Sequence, residues 1–149
     1  MFRGNHPAKV DEKGRLKLPA AFKQLVDAKA ITQFYVTSTD GESALVWPLP
    51  DWEEREKQLT ANGDDPTVLK YLTVTSYWGQ QVEMDNQGRV LIPQHLRKAA
   101  ALDDEDAMVI GMGLSIKVQN RKRCEEEIAP LKITVDDNAR LAQVTRRNQ

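Results

Sequence analysis

The chain has little of several things that would otherwise suggest a chemistry. Its 149 residues include one cysteine and two histidines, so neither an internal disulfide nor a metal site is predicted. No apolar run approaches the roughly 20 residues that a membrane-spanning helix requires. No Gly-rich phosphate loop and no serine or cysteine beside a basic partner can be recognised. The sequence therefore predicts a cytoplasmic protein that is not an enzyme and has no cofactor, small-molecule substrate or membrane partner.

Basic and acidic residues nearly cancel over the whole chain. The formal net charge is −1, which argues against a general electrostatic attraction to nucleic acid or to a membrane surface. The balance is uneven, however. Residues 1–30 carry seven basic and three acidic side chains, a local charge of +4, whereas residues 75–104 carry three basic and four acidic ones. Any binding of a polyanion must therefore come from local charge near the amino end.

One short pattern occurs twice, at an offset of 74 residues: 10–19 reads VDEKGRLKLP and 84–93 reads MDNQGRVLIP. Further pairs at the same offset are Phe22 with Leu96, Lys23 with Arg97, and 34–36 with 108–110. After a slip of two residues the pairs are Val46 with Val118, Trp52 with Cys124, and Leu59 with Leu131. Two copies of one unit usually fold against each other, because neither buries its apolar face alone. The repeat predicts a fold whose two halves are related by a pseudo-two-fold axis.

Local patterns predict the same order of elements in both copies. In the first copy we expect an extended arm or a strand over 2–10, a turn at 11–14, a strand to 18, a helix over 20–26, and strands at 34–39 and 44–47. In the second we expect strands at 81–84 and 89–92, a helix from Pro93, strands at 108–111 and 115–118, and a helix over 123–131.

The segments between and after the copies read as helices and polar linkers. Asp51, with Glu54 three residues on, is the expected N-cap of a helix toward Leu59. Residues 61–66 form the clearest linker, and 67–77 is expected to be a helix with Val68, Leu69 and Leu72 on one face. Cys124 is expected to be buried in packing. The tail 132–149 is either a short helix near 136–144 or disordered.

The repeated motif predicts a tight turn followed by a half-buried strand. Asp11 and Asp85 can accept backbone N–H groups, and Gly14 and Gly88 tolerate the positive φ that closes such turns. If the strand keeps its two-residue period, Arg15 projects to solvent with Lys17, while Leu16 and Leu18 enter the core.

The exposed strand faces differ between the copies. The first shows Lys13, Arg15 and Lys17, and the second shows Gln87, Arg89 and Leu91 at the matching positions. Closely spaced cations on a strand suit DNA phosphates, and arginine can bond guanine in the major groove, which accepts a two-stranded ribbon. Two alternatives stay open: ordinary surface charge that favours solubility, and an arginine that braces its own turn by pairing with its own aspartate. The loss of two cations predicts that the second copy is mainly scaffold or subunit contact.

Several segments together resemble the MraZ family. They are MFRG at 1–4, DEKGR at 11–15 with Leu18-Pro19, PLP at 48–50 with Trp52, and DNQGR at 85–89 with Ile92-Pro93. The resemblance runs from residue 1 to about residue 131. It implies a mainly β fold with capping helices, an AbrB-like double-split, swapped-hairpin β-barrel of two tandem repeats. The units are then SpoVT/AbrB-like repeat 1 (1–60), a linker and helix (61–78), repeat 2 (79–131) and a polar tail (132–149).

The resemblance also implies a function. Members of the family are sequence-specific, nucleoid-associated regulators that bind short direct repeats in promoter double-stranded DNA as ring-like homo-oligomers and repress the division and cell-wall gene cluster, including their own operon. Carried over by motif position, Arg15 is the DNA-contacting arginine and Arg89 its counterpart; the predicted DNA-binding set is Arg3, Lys9, Lys13, Arg15, Lys17 and Arg89. The chain departs from the family in the helix at 67–77, which has one cation, and at Trp78-Gly79. An alternative is that the barrel is an antitoxin-like protein-interaction module.

Overall fold

Eight strands and six helices make up the computed structural model, which describes residues 1–147. The predicted tail thus has two residues, 148 and 149, outside the described part. The strands are β1 (Asn5–Lys9), β2 (Arg15–Lys17), β3 (Gln33–Thr37), β4 (Ala44–Pro48), β5 (Gln80–Glu83), β6 (Arg89–Leu91), β7 (Asp106–Gly111) and β8 (Ile116–Asn120). The helices are α1 (Ala20–Ala28), α2 (Leu49–Thr60), α3 (Pro66–Trp78), α4 (Gln94–Ala99), α5 (Arg121–Ile128) and α6 (Val135–Arg147).

The two halves of the chain are interlocked through their strands. A six-stranded antiparallel sheet has the order β1-β7-β8-β4-β3-β5, and β2 pairs with β6 in a separate two-stranded ribbon. The first strand of each half therefore pairs with the other half, as β1 does with β7 and β5 with β3. This exchange confirms the predicted fold class, a mainly β fold of two swapped repeats with capping helices. Among the described residues, no helix combines the length and apolar character needed to cross a membrane.

The ribbon covers one side of the shared core. Leu16 from β2 and Val90 from β6 lie opposite each other and are fully buried. Beneath them pack the large apolar side chains of both halves, among them Phe22, Phe34, Ile92, Leu96 and Ile116. The ribbon is therefore held from below by apolar contacts and keeps only its outer face in solvent.

The start of α2 differs from the sequence prediction. Asp51 is not the N-cap, because the helix begins at Leu49 and Pro48 is the N-cap residue. Proline fits the first turn of a helix, where its missing N–H is not needed, so Pro50 allows the helix to begin before Asp51. The carboxylate of Asp51 lies instead in the first turn, where it is favoured by the helix dipole.

The correspondence of the two halves in β3 and β7 also differs from the prediction. Phe34 lies opposite Val82, and Ala107 lies opposite Ala8. Val82 and Ala8 are 74 residues apart, so Phe34 corresponds to Ala107 and the predicted match of 34–36 with 108–110 is wrong by one residue. The reason is that α4 has six residues where α1 has nine, and the longer loop after α4 only partly restores the offset.

Helix α3 docks on β3 through a face that was only partly predicted. Of the three residues expected to share one face, Val68 and Leu72 are half-buried and Leu69 is 52% exposed. The buried residue of the helix is Thr75. The hydroxyls of Tyr35 and Thr37 donate hydrogen bonds to the carbonyl of Thr75 at 2.9 and 2.7 Å. This carbonyl lies in the last turn of a helix and lacks a helical donor, so β3 satisfies it.

The tail, for which helix and disorder were both open, contains helix α6.

We expect Leu16→Ala to destabilise the fold by about 2–5 kcal/mol, the usual range for truncating a fully buried leucine. Urea unfolding of the variant measures this loss. Lys17→Ala, on the exposed face of the same strand, should stay within about 0.5 kcal/mol of the parent chain. Equal stability of both variants would contradict a ribbon whose inner face closes the core.

Candidate nucleic-acid interface

The register of the ribbon decides which side chains share its outer face. Arg15 lies opposite Leu91, and Lys17 lies opposite Arg89. Directly opposed residues of an antiparallel pair point to the same side, so these four side chains form the outer face. Leu16 and Leu18 are buried, which confirms the predicted alternation along the first strand.

Each turn that leads into the ribbon is built around an aspartate. Oδ1 of Asp11 accepts the N–H groups of Lys13 and Arg15, both at 2.9 Å. Oδ1 of Asp85 accepts those of Gln87 and Arg89, also both at 2.9 Å. Gly14 and Gly88 have φ values of +81° and +77°, as turn closure requires. The two turns thus have the same geometry in spite of their different charges.

The second oxygen of each aspartate joins the two turns. Nε and Nη1 of Arg15 lie 3.3 Å from Oδ2 of Asp11 and from Oδ2 of Asp85, respectively. Nε of Arg89 lies 2.8 Å from Oδ2 of Asp85, and its Nη1 lies 3.7 Å from Oδ2 of Asp11. Each carboxylate therefore contacts both guanidinium groups. We call these four side chains the Asp/Arg quartet.

The quartet contains the contact that the bracing alternative predicts, and it adds one that was missed. Each arginine does pair with the aspartate of its own turn, but each also reaches the aspartate of the other repeat. The signal for this crossing was present in the sequence: two identical Asp-x-x-x-Arg motifs related by a pseudo-two-fold can meet only in symmetric pairs.

The quartet is electrically neutral and partly accessible. Its side chains are between a quarter and a third exposed, and its two positive and two negative charges cancel. The N–H groups of Arg15 and of Arg89, respectively, are the main reason that the pKa values of Asp11 and Asp85 lie below the ordinary value. Within residues 1–147, Lys13 and Lys17 form no ion pair with a carboxylate and are exposed. They provide the uncompensated positive charge beside the ribbon.

A basic side chain from a helix of the opposite repeat supports each turn. The guanidinium of Arg97 lies against Gly14, and the aliphatic stem of Lys23 lies against Gly88. Arg97 donates to the carbonyl of Ile92 and, at 2.9 Å, to Asp103. The sequence match of Lys23 with Arg97 was the signal for this supporting role, although it was not recognised as one.

Two residues of the predicted DNA-binding set lie away from the ribbon or beside acidic groups. Arg3 precedes β1 and Lys9 ends it, a separation of roughly 20 Å along extended chain. Lys9 lies opposite Asp106 and lines a shallow cleft with Asp104 and Glu105. The structure therefore brings together Lys13, Arg15, Lys17 and Arg89. Lys9 lines a surface pocket with Lys17, whereas Arg3 precedes the opposite end of β1.

Cys124 and His95 belong to the framework of the fold. Cys124 is 6% exposed, as predicted, and burial raises the pKa of its thiol. His95 Nε2 lies 2.9 Å from the carbonyl of Tyr77, and its ring stacks on Trp78. No group of three or more histidine, cysteine or carboxylate side chains within residues 1–147 is arranged to hold a metal ion.

These features define a class of protein, namely interlocked two-repeat β folds that present an arginine-bearing ribbon. The chain matches the family described as "MraZ: MraZ protein, putative antitoxin-like" over residues 1–67 and 79–141. It belongs to the MraZ family, as the sequence motifs indicated.

Three relatives show how far the similarity extends. A protein of Acidobacterium capsulatum is 44% identical, with 96% of this chain and 98% of the relative covered. A protein of Koribacter versatilis is also 44% identical, with coverage of 97% and 99%. A third, from Thiobacillus denitrificans, is 35% identical, with 87% of each chain covered. All three carry the name "Transcriptional regulator MraZ".

The lowered pKa values of Asp11 and Asp85 predict an acid-sensitive ribbon. Because the folded values lie below those of the unfolded chain, the two carboxylates stabilise the fold above about pH 4, and this contribution is lost as the pH falls through the folded values. Urea unfolding from neutral to acidic pH measures the effect. Asp85→Asn should lose less stability over that range than the parent chain does.

Glu12→Gln is the matched control, because Glu12 lies in the same turn and its side chain forms no ion pair within residues 1–147. It should keep the acid sensitivity of the parent. If the stability of Asp85→Asn changes with pH in the same way as that of Glu12→Gln, the quartet does not make a pH-dependent contribution to stability.

Proposed function

We propose that the chain is a sequence-specific DNA-binding transcriptional regulator whose β2–β6 ribbon enters the major groove. The observation that carries the proposal is the ribbon itself, with Arg15, Lys17 and Arg89 on one exposed face. Two paired strands lie about 4.8 Å apart, and the major groove is about 12 Å wide and accepts such ribbons. The names of the relatives support the regulatory role.

The quartet suits this role because it orients the arginines without using all their donors. A guanidinium has five N–H donors. Arg15 directs one from Nε to Asp11 and one from Nη1 to Asp85, so three remain for a ligand. The N–H groups that remain free can donate to O6 and N7 of guanine. Asp11 and Asp85 are thus positioning residues for base contact.

The two lysines have a different role, which is contact with phosphates. Lys13 lies in the turn and Lys17 at the end of β2, so both flank the arginines. Phosphate contacts supply affinity that falls with salt but carries little sequence information. Two lysines per copy give weak binding, which assembly can strengthen, because each further copy binds its site at high effective concentration.

The finer parts of the proposal rest on the family resemblance. They are ring-like homo-oligomers, short direct repeats in a promoter as the target, and repression of the division and cell-wall gene cluster together with the protein's own operon. The boundaries of the two repeats and a cytoplasmic, nucleoid-associated location belong to the same proposal. The relatives' names support a regulator that is not an enzyme.

A second candidate function is an antitoxin-like module that binds a protein partner. The wording of the family description favours it, as does the exposed amphipathic helix α6. A gel shift with duplex DNA that carries tandem short repeats separates the two functions, because a module that binds only protein leaves the duplex unshifted.

We expect Arg15→Ala to lose about 1–3 kcal/mol of binding to the preferred duplex and to relax its sequence preference. Arg89→Ala should lose less, because it leaves Lys13, Arg15 and Lys17 together on the first strand and its turn. Arg15→Lys is the matched control: it keeps the charge, and hence the salt dependence, but loses the bidentate contact. Fluorescence anisotropy on preferred and scrambled duplexes measures both quantities, and equal losses from Arg15→Ala and Arg89→Ala would argue against the unequal faces.

Substitutions at positions 17 and 91 can give each strand the residue type that the other strand has at the matching position. Lys17→Leu should lower the salt dependence of binding by about one counterion per copy and weaken all duplexes alike. Leu91→Lys, at the matching position of the second strand, should raise the salt dependence by a similar amount. Anisotropy over a salt series gives the slopes. An unchanged slope in both variants places the ribbon outside the DNA interface.

A further inference from the structure

The internal repeat extends to the helix that follows each half. Helix α3 follows α2, and α6 follows α5 in the same way. Residues 70–75 read KYLTVT and residues 140–145 read RLAQVT, with an offset of 70. Both helices have 13 described residues. The chain thus contains two related tail helices, one per repeat.

The threonine of this shared pattern makes the same contacts in both helices. Thr75 Oγ1 donates to the carbonyl of Tyr71 at 2.9 Å. Thr145 Oγ1 donates to the carbonyl of Leu141 at 3.0 Å. In each case the hydroxyl bonds back into its own helix, so the face that carries the threonine is not polar. Tyr71 and Leu141 therefore occupy equivalent places on the two helices.

Within residues 1–147, only the first of these helices has a buried residue. Tyr71 of α3 stacks on Trp52 with ring centroids 6.4 Å apart, and Trp52 stacks on Tyr35 at 4.7 Å. In α6, by contrast, Leu141 is 51% and Val144 is 37% exposed. A single helix of 13 residues is marginal in water unless its apolar face is covered.

The second repeat has a groove at the position that corresponds to the surface on which α3 packs in the first repeat. This groove is open. By strand register, Met108 corresponds to Tyr35 and Ile110 to Thr37. Cys124 corresponds to Trp52 at the offset of 72 that relates α5 to α2. These counterparts line one groove of about 440 Å³ between β1, β7 and α5, together with Ile128.

The chemistry of the open groove matches α6 better than α3. In the first repeat, Tyr35 and Thr37 offer hydroxyls that bond the carbonyl of Thr75. In the second repeat, Met108 and Ile110 offer only apolar surface. The groove is therefore suited to an apolar helix face without aromatic side chains, such as the face of Leu141, Ala142 and Val144.

We propose that α6 of a second copy of this chain fills the groove between α5 and β7. Helix α6 starts at its own capping box, in which Thr134 N–H donates to Asp137 at 2.9 Å and Asp137 N–H donates to Thr134 Oγ1 at 3.1 Å. It is thus a formed helix on a linker, 129–134, and it lies away from its own groove. Exchange of such an element between copies is a low-cost route to assembly, and head-to-tail contacts of this kind form rings when the rotation between successive copies closes. The inference rests on the homo-oligomer of the proposed function.

The native thiol of Cys124 provides a direct test. Since Tyr71 contacts Trp52, a thiol introduced by Leu141→Cys should lie against Cys124 of the neighbouring copy. A mild added oxidant then joins the two sulfurs, takes up two electrons and leaves two protons to the buffer. We expect a ladder of covalent oligomers on a non-reducing gel. Gln143→Cys, on the opposite face of α6, should form at least tenfold less, and Leu141→Cys combined with Cys124→Ser should form none.

Light scattering of the full-length parent chain separates failure of this inference from failure of the proposed function. A parent that is oligomeric but yields no ladder, or a Leu141→Cys chain that closes only on itself as a fast-migrating monomer, overturns the second copy as the occupant and leaves DNA binding untouched. A monomeric parent overturns the assembly as well. Leu141→Asp should lower the oligomer mass while it keeps the circular dichroism of the parent and its binding to a single DNA site; an unchanged mass contradicts the proposal.

Discussion

The crossed pairing of two aspartates with two arginines is the constraint on which the ribbon depends. Each carboxylate uses one oxygen to close its own turn and the other to meet both guanidinium groups. The two motifs are coupled, because a change in either one removes an ion-pair contact from a residue of the other repeat. Positions 17 and 91, two residues after each arginine, are free of this constraint. Lysine at 17 and leucine at 91 therefore occupy one scaffold and give its two sides different charge.

Much of this fold could be predicted from the sequence, because the information is local. The Asp and Gly of the motif specify the turn, and the period of two assigns Leu16 to the core and Arg15 to solvent. The register of β7 could not be predicted in this way. It depends on the shorter α4 and the longer loop behind it, and a fixed offset cannot detect two length changes that nearly cancel. The start of α2 was predicted too late in the chain. Asp51 is a good capping residue, but Pro48 and Pro50 suit the start of a helix, and α2 begins at Leu49.

The residues of the candidate site also differ in whether local sequence information could predict them. Lys13, Arg15, Lys17 and Arg89 meet because they belong to two motifs on paired strands. Arg3 and Lys9 share the basic amino-terminal window but do not belong to the paired strands, although Lys9 lies beside Lys17 in one surface pocket. The burial of Thr75 was not predictable from its own helix, because it depends on the packing of β3, whose hydroxyls bond the carbonyl of Thr75.

The exchange of first strands has a consequence for synthesis on the ribosome. Strand β1 is made early, but its pairing partner β7 ends at Gly111. At about 5–20 residues per second, the amino-terminal half waits several seconds, with unpaired backbone and exposed apolar side chains, before its partner leaves the exit tunnel. Pairings between such distant segments also form slowly. Nascent chains of this protein are thus exposed to aggregation until residues 106–111 have been translated and have left the tunnel.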